Sequence, residues 1–408
     1  MKQIENPDFI PLLFASDINV YSVARAFHEQ YGIRSKAFGK AASGPCAESR
    51  IIDYTCEGDA DKQEVLLQLV NDFARSHSDR KVLLLGCGDA YVRQISANKG
   101  SFYQNVIAPY ADIDLISRLT HKEKFYALCR EKGLDFPETF VHKPDTGYAY
   151  DLPFGGPFII KPSNGVLYWN HPFPEQNKVF KAATRDETDA ILARIYASGY
   201  ADSVIIQNFI PGDDTFMRVL TNYSDRNGRV RLSCMGHVLL EEHTPHGAGN
   251  HAVILTERDE TLETRFKGFL EDLHYTGFSN FDFKYDRRDG ACKVFELNAR
   301  QGRSNYYVTG AGENIARYLV EDLVYGRDLQ PKSVTARSLW MVVPKSVAFG
   351  YVAPPAYKAE MRRLIREGRC VNPLIYQGDG GFGRGIRLRK NLLGHFYKFR
   401  KYYGKRHE

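Results

Sequence analysis

The sequence predicts an α/β domain, then a larger α+β region, then a small basic C-terminal extension. Three observations predict it. From Phe9 to about Pro109, short apolar runs alternate with stretches whose apolar residues recur at helical spacing, as in strands joined by helices into a parallel sheet. Between Phe278 and Asn305, two strands of period two meet at a short polar turn, as an antiparallel pair does. From about Pro331 the character changes, and the chain ends in interleaved Lys, Arg and aromatic residues.

Composition sets the frame. The 408 residues are 43% hydrophobic and 25% charged, which describes a soluble globular protein of two to three domains with ample core. No run approaches eighteen apolar residues, and the opening MKQIENPDFIPLLF lacks a basic n-region and a cleavage site. Seven scattered cysteines without a CxxC pair suggest reduced thiols, so the expected location is the cytoplasm.

In order, FIPLLFA is a buried strand and Asn19 a candidate cap for a helix ending at Gly32. A weak strand near 50–54, a helix over 62–75 and the strand KVLLLG complete the series. Its loop Gly86-Cys87-Gly88-Asp89 lacks the third glycine of a dinucleotide fingerprint, and is expected at a strand's carboxyl end facing a crevice. A helix opens around Thr120 to Phe125 and ends near Gly133. The strand PFIIKP then sets Lys161 on an otherwise apolar face, where an unpaired lysine is costly and calls for an anion. Ser163-Asn164-Gly165 reads as a small flexible loop whose backbone N–H groups suit phosphates. Thr184 and Glu187 form a capping box, and VIIQNFIPGDD runs from a strand into a turn.

The hairpin 278–305 carries the chemistry. If Asp286 pairs with Cys292, then Asp282 pairs with Glu296. One face is then apolar, through Phe281, Phe283, Phe295, Leu297 and Ala299. The other bears Asp282, Glu296, Asn298 and Arg300. Two opposed carboxylates require positive charge between them. A hard divalent cation, Mg²⁺, fits best, and its habit of leaving sites to substrate phosphate implies a nucleotide. The rival reading is a solvated strand face of mixed charge. His243, His246 and His251 invite a transition-metal reading, but no H-x-x-x-H lies on a plausible helix; a polar loop near the acceptor or acyl substrate is preferred.

This constellation resembles the ATP-grasp superfamily of carboxylate–amine ligases over roughly Pro11 to Asp328. The resemblance implies an ATP-grasp fold, with a pre-ATP-grasp βαβ domain at 1–115, the two-part grasp at 116–330 and the extension at 331–408. It also implies ATP and Mg²⁺ as cofactors, with metal held by Asp282, Glu296 and Asn298. Lys122, in the setting K-x-x-F followed by Gly133, Pro137 and Thr139, and Lys161 would reach the phosphates, with Asn164 and Gly165 in the lid. Gln207 and the backbone near Phe209 and Ile210 would meet adenine, and Asp214 the ribose. Arg300, Arg303 and Lys161 would act on the reacting groups, and Arg218, His246, Asn250 and Ser304 would contact substrate. The implied activity is ADP-forming amide synthesis through an acyl phosphate, with D-aspartate or a similar amino acid as acid and a peptidoglycan precursor peptide as amine. A dipeptide-type ligase and a non-catalytic nucleotide-binding scaffold are the alternatives. A homodimer is the default assembly expectation.

The last twenty-five residues hold nine Lys and Arg against one Glu, with aromatics interleaved. Three readings compete: a solvated terminal helix, a peripheral contact with the inner face of an anionic membrane, and nucleic-acid binding, against which stands the want of any nucleic-acid fold.

Overall fold

The computed structural model describes residues 7–244, 247 and 249–404. Its first layer is a parallel sheet of five strands: β1 (Phe9–Phe14), β2 (Ser35–Gly39), β3 (Ile52–Cys56), β4 (Lys81–Gly86) and β5 (Val106–Ile107), in the order β3-β2-β1-β4-β5. The helices α1 (Ile18–Tyr31), α2 (Gln63–Ser76) and α3 (Asp89–Ala97) link them. Asp17, not Asn19, caps α1, its Oδ1 accepting from the Asn19 N–H at 3.1 Å. The Asn19 side chain is buried and used elsewhere, donating to Cys87 O at 3.0 Å and Gln301 O at 3.2 Å. Gly32 closes the helix at φ 70 as expected.

After α4 (Ile113–Thr120) and α5 (Lys122–Glu131), four antiparallel strands form a small sheet: β6 (Thr139–His142), β7 (Phe158–Pro162), β8 (Phe180–Ala182) and β9 (Val204–Asn208), in the order β6-β9-β7-β8. Between its strands run α6 (Gly165–Trp169) and α7 (Arg185–Ala197). The expected flexible loop at 163–165 instead starts a short helix, because the Asn164 side chain accepts from the Leu167 N–H at 3.1 Å. Phe158, Ile160, Leu192, Ile195, Val204 and Ile206 give this sheet its own core.

The third sheet is the largest. It contains β10 (Met217–Ser224), β11 (Val230–Glu241), β12 (His251–Glu257), β13 (Gly277–Asp286) and β14 (Ala291–Asn298), with α8 (Glu260–Asp272) between β12 and β13. The chain continues through α9 (Tyr306–Gly310), α10 (Ile315–Leu319), β15 (Lys332–Ser333), β16 (Leu339–Met341), α11 (Lys345–Tyr351), α12 (Pro355–Arg366), β17 (Cys370–Val371) and α13 (Phe382–Tyr402). The order is β14-β13-β10-β11-β12-β16-β17, with β15 beside β11, so strands after residue 331 extend the same sheet. One face packs Leu220, Phe281, Phe283, Val294 and Leu297 against Phe125, Phe266 and Phe269. The other packs Val219, Tyr223 and Leu232 against Tyr21, Phe27, Tyr307 and Tyr318. Gly277 joins the layers closely: at φ +90, a Cβ there would lie 2.2 Å from Pro109 O. Among the described residues no helix is long and apolar enough to cross a membrane.

Candidate active site

Asp282 stands opposite Glu296, but the route to that register differs from the expected one. Asp286 pairs with Ala291 and Tyr285 with Cys292, and the count is restored by a bulge between Asp282 and Phe283 that leaves Phe295 without a partner. The bulge shifts the phase of the strand. Val294 turns into the core with Leu297 and Ala299, while Phe295 leaves the expected apolar face and lines a cleft with Glu296 and Asn298.

That cleft has a volume of about 1350 Å³ and is walled by strands of the small and large sheets and by α3 and α4. It exceeds the roughly 300–1,000 Å³ of a single small-molecule site, leaving space for a nucleotide and a second reactant. The small sheet contributes Lys161, whose Nζ lies 4.5 Å from the centre of the Phe295 ring. The N-terminus of α5 contributes Lys122, 3.8 Å from Glu296 Oε2, whereas Lys124 is exposed. A loop before β8 contributes Lys178, 3.4 Å from Glu296 Oε1. Burial lowers the Lys122 ammonium, against the pull of Glu296, while Glu296 raises Lys178.

The two carboxylates are driven apart electrostatically. Burial, with Glu296 opposite, pushes the Asp282 carboxyl up to about 8, and Lys178 holds Glu296 down to about 2, helped by Lys122 and Lys161. The ion pairs of both flanking lysines go to Glu296. Asp282 is met by the Asn298 amide at 3.1 Å, the Asn280 amide at 3.4 Å and the His251 ring at 3.7 Å. Two carboxylates and amide oxygens form a hard donor set that fits Mg²⁺, and the cation would supply what the Asp282 side of the pair lacks. His251 Nε2, buried and without a hydrogen-bond partner among the described residues, also lies 3.9 Å from Glu241 Oε1.

Arg300 lines the cleft, pairing with Asp89 Oδ1 at 2.7 Å and reaching Asn298 Oδ1 at 3.3 Å. The loop at 86–89 thus does face the crevice, through Asp89. Asn164, Gly165, Gln207, Phe209 and Ile210 also line it. Gln207 donates to Thr139 Oγ1 at 2.9 Å, and the Phe209 ring lies 5.0 Å from Lys181 Nζ and 5.5 Å from Lys284 Nζ. Asp214 lines it too, one carboxylate oxygen accepting from the Glu241 N–H and from His243 Nε2, each at 2.9 Å.

Other expected residues lie apart. Arg218 pairs with Phe283 across the sheet, so it shares the face opposite Asp282, where it forms an ion pair with Glu257 and donates to Thr215 O at 2.9 Å. Its expected contact with substrate would need the cleft face of the strand, and Met217 is the neighbour that lines the cleft. Arg303 reaches Glu242 Oε1 and His251 O, each at 3.4 Å, and Ser304 is buried 3.4 Å from His251 Nδ1; neither lines the cleft. Asn250 closes a turn through its backbone, its N–H donating to Gly247 O at 2.9 Å. His246 lies outside the described residues.

Lys178, Glu241 and Phe295 were not foreseen as site residues, and Asp89 and His251 were foreseen only through the segments that hold them. His251 opens the apolar run HAVILTE and so belongs to a strand rather than to the loop in which it was placed, a signal legible in its sequence neighbours. Lys178 sits in an irregular segment with no periodicity to read.

No protein-family description matches the chain. Over 416 residues it is 39% identical to the D-aspartate ligase of Enterococcus faecium (strain Aus0004), a likeness covering 99% of both chains. It superposes on the N5-carboxyaminoimidazole synthetase of Staphylococcus aureus complexed with ADP at a TM-score of 0.60 and 13% identity, over 90% of this chain and 88% of that one. It superposes likewise on the L-amino acid ligase of Bacillus licheniformis at a TM-score of 0.54 and 14% identity, over 78% and 74% of the two chains. At such identities the structural likeness establishes the fold, which is the ATP-grasp fold.

Proposed function

Because the chain belongs to the D-aspartate ligase family of ATP-grasp carboxylate–amine ligases, we propose that it joins a carboxylate of D-aspartate to an amine of a peptidoglycan precursor peptide. The observation that carries the reading is the meeting, in one cleft, of the Asp282–Glu296–Asn298 row with lysines from three separate segments. A carboxylate oxygen of the acid takes the terminal phosphoryl group of ATP, with ADP leaving; the amine nitrogen then attacks the acyl carbon and phosphate leaves. Bound Mg²⁺ supplies charge neutralisation to the phosphates.

The chain's own residues orient and neutralise. Lys161 and Lys122 hold the phosphates, Asn164 and Gly165 cover them, and Gln207, Phe209 and Ile210 receive the base, with Asp214 beside the ribose. Asp282, Glu296 and Asn298 would hold the metal. Arg300, fixed by Asp89, meets the acyl oxygens, where a preorganised guanidinium favours developing negative charge. Arg303, Ser304 and Asn250 set the surroundings of the second reactant through their hold on His251 and its loop. The work is proposed for the cytoplasm, with the C-terminal helix toward the membrane surface.

The test is phosphate release from ATP and Mg²⁺ with single amino acids, with and without a lysine-containing precursor peptide, the product weighed by mass spectrometry. Release that requires both D-aspartate and the precursor supports the reading. Release with pairs of free amino acids replaces it by a dipeptide ligase.

A further inference from the structure

The C-terminal helix α13 has two unlike faces. Inward, Arg384 is buried, pairing with Asp379 at 3.1 Å, donating to Pro45 O at 2.7 Å and lying over the Tyr21 ring. Phe399 is buried against Tyr351. Just past the helix, Tyr403 stacks on His243 with ring centres 4.7 Å apart, and Tyr402 lines the cleft. This face is fixed to the body of the enzyme.

Outward, the helix leaves large apolar side chains in water. Phe382 is 88% exposed, Leu393 66%, Tyr397 64%, Phe396 45% and Ile386 42%. At helical spacing these fall on one stripe, which also carries Arg389 and Arg400 and is flanked by Lys390 and Lys401. Between Phe382 and Tyr402 stand seven Lys and Arg and no Asp or Glu. A face that only needed solvation would use charge alone, and leaving such a stripe in water is costly. Nucleic acid would be served by the cations and rings but not by Ile386 and Leu393. The combination of aliphatic and aromatic groups with cations and no anion is complementary to the headgroup boundary of an anionic bilayer, where rings and aliphatic chains enter the acyl edge and cations meet lipid phosphate.

We propose that the outward face of α13 docks the enzyme on an anionic membrane surface. The docked helix lies in the plane of the headgroups. Since Tyr402 lines the cleft, docking also holds the reaction site beside the membrane, a consequence that rests on the ligase reading, whereas docking itself does not.

The full chain is to be sedimented with vesicles of phosphatidylcholine, with and without phosphatidylglycerol, at low and high salt. Binding is expected only with phosphatidylglycerol, and weaker in salt. The pair Arg389→Gln and Lys390→Gln is expected to lower the partition coefficient about 25-fold, each basic residue near the surface being worth about fivefold. The pair Leu393→Glu and Tyr397→Glu should abolish binding while leaving the melting temperature and ATP turnover with soluble substrates unchanged. Equal binding to both vesicle types, or binding that survives both pairs of substitutions, overturns the proposal. So does a dimer in sedimentation velocity that the Leu393→Glu, Tyr397→Glu pair dissociates, which would assign the stripe to a second copy. Failure of the ligase assay with docking intact would count against the ligase reading alone.

Discussion

Replacing Glu296 by Gln would separate a catalytic cleft from a passive one. The substitution keeps the shape of the side chain and removes its charge, which Lys178 meets at 3.4 Å and Lys122 at 3.8 Å. At 3.4 Å, two unit charges interact by about 1 kcal/mol in water and by about 5 kcal/mol at an effective dielectric constant of about 20. With the side chain 26% exposed, the site lies between those limits, near about 3 kcal/mol. A metal ion at Glu296 loses a contact of that order, so kcat/KM should fall about 10²-fold. The assay is ADP formation against magnesium concentration, with the melting temperature measured in parallel. The apparent magnesium requirement should rise in the variant. A stable Glu296→Gln enzyme with kcat/KM within about threefold of the parent would refute the reasoning, because the charge row would then be a surface ornament of the sheet.

Three further outcomes follow from the same geometry. Lys161→Met should raise the KM for ATP by about tenfold or more, since a lysine on an apolar strand face aimed at the cleft is expected to bind phosphate; fluorescent nucleotide titration checks it. Arg218→Met should leave kcat/KM nearly unchanged and lower the melting temperature, because the guanidinium is held by Glu257 on the far face; a large loss of activity with unchanged stability would return Arg218 to the site. Asp225 gives a pH dependence. Burial opposes its ionisation, but the Arg229 and Asn227 N–H groups and the Arg231 guanidinium hold its carboxyl below the usual range. Its contribution to stability is therefore complete above the unfolded value of about 4 and is lost as pH falls through the lower folded value; Asp225→Asn should flatten that acid limb of a urea-denaturation series.

What could be read from the chain was whatever depends on short-range periodicity. The strands FIPLLF and KVLLLG are unbroken apolar runs and the helix through Val65 to Phe73 recurs at three to four residues, whereas the Asp282–Glu296 pairing was reached with the turn one residue out, an offset that the bulge cancels. What escaped depends on events that break a period. The bulge at Phe295 carries no glycine to announce it. The short helix at Gly165–Trp169 opens on a glycine, contains the strand-favouring Val166, Tyr168 and Trp169, and is held by one capping amide. β2, SKAFG, is too brief and too polar to stand out before its neighbours on either side are known. Arg218 was misdirected because strand parity must be counted from a partner, and the partner, Phe283, lies far away in sequence.

The unpaired residue at Phe295 has a consequence for how this strand can vary. Upstream of it the side chains keep one reading frame relative to the core, and downstream they keep the other, so a single residue acts as the frame-setter between packing and chemistry. Removing Phe295 would make Val294 and Glu296 neighbours, opposite Phe283 and Asp282, so the ladder would become regular with Val294 still in the core and Glu296 and Asn298 still on the cleft face. A length change in the polar turn at 287–290 leaves the frame untouched. In a scan of single-residue deletions, the hairpin should tolerate loss at its tip and at Phe295 and fail at Leu297, whose place opposite Phe281 in the core Asn298 would then take, a pattern that no scan of substitutions alone would reveal.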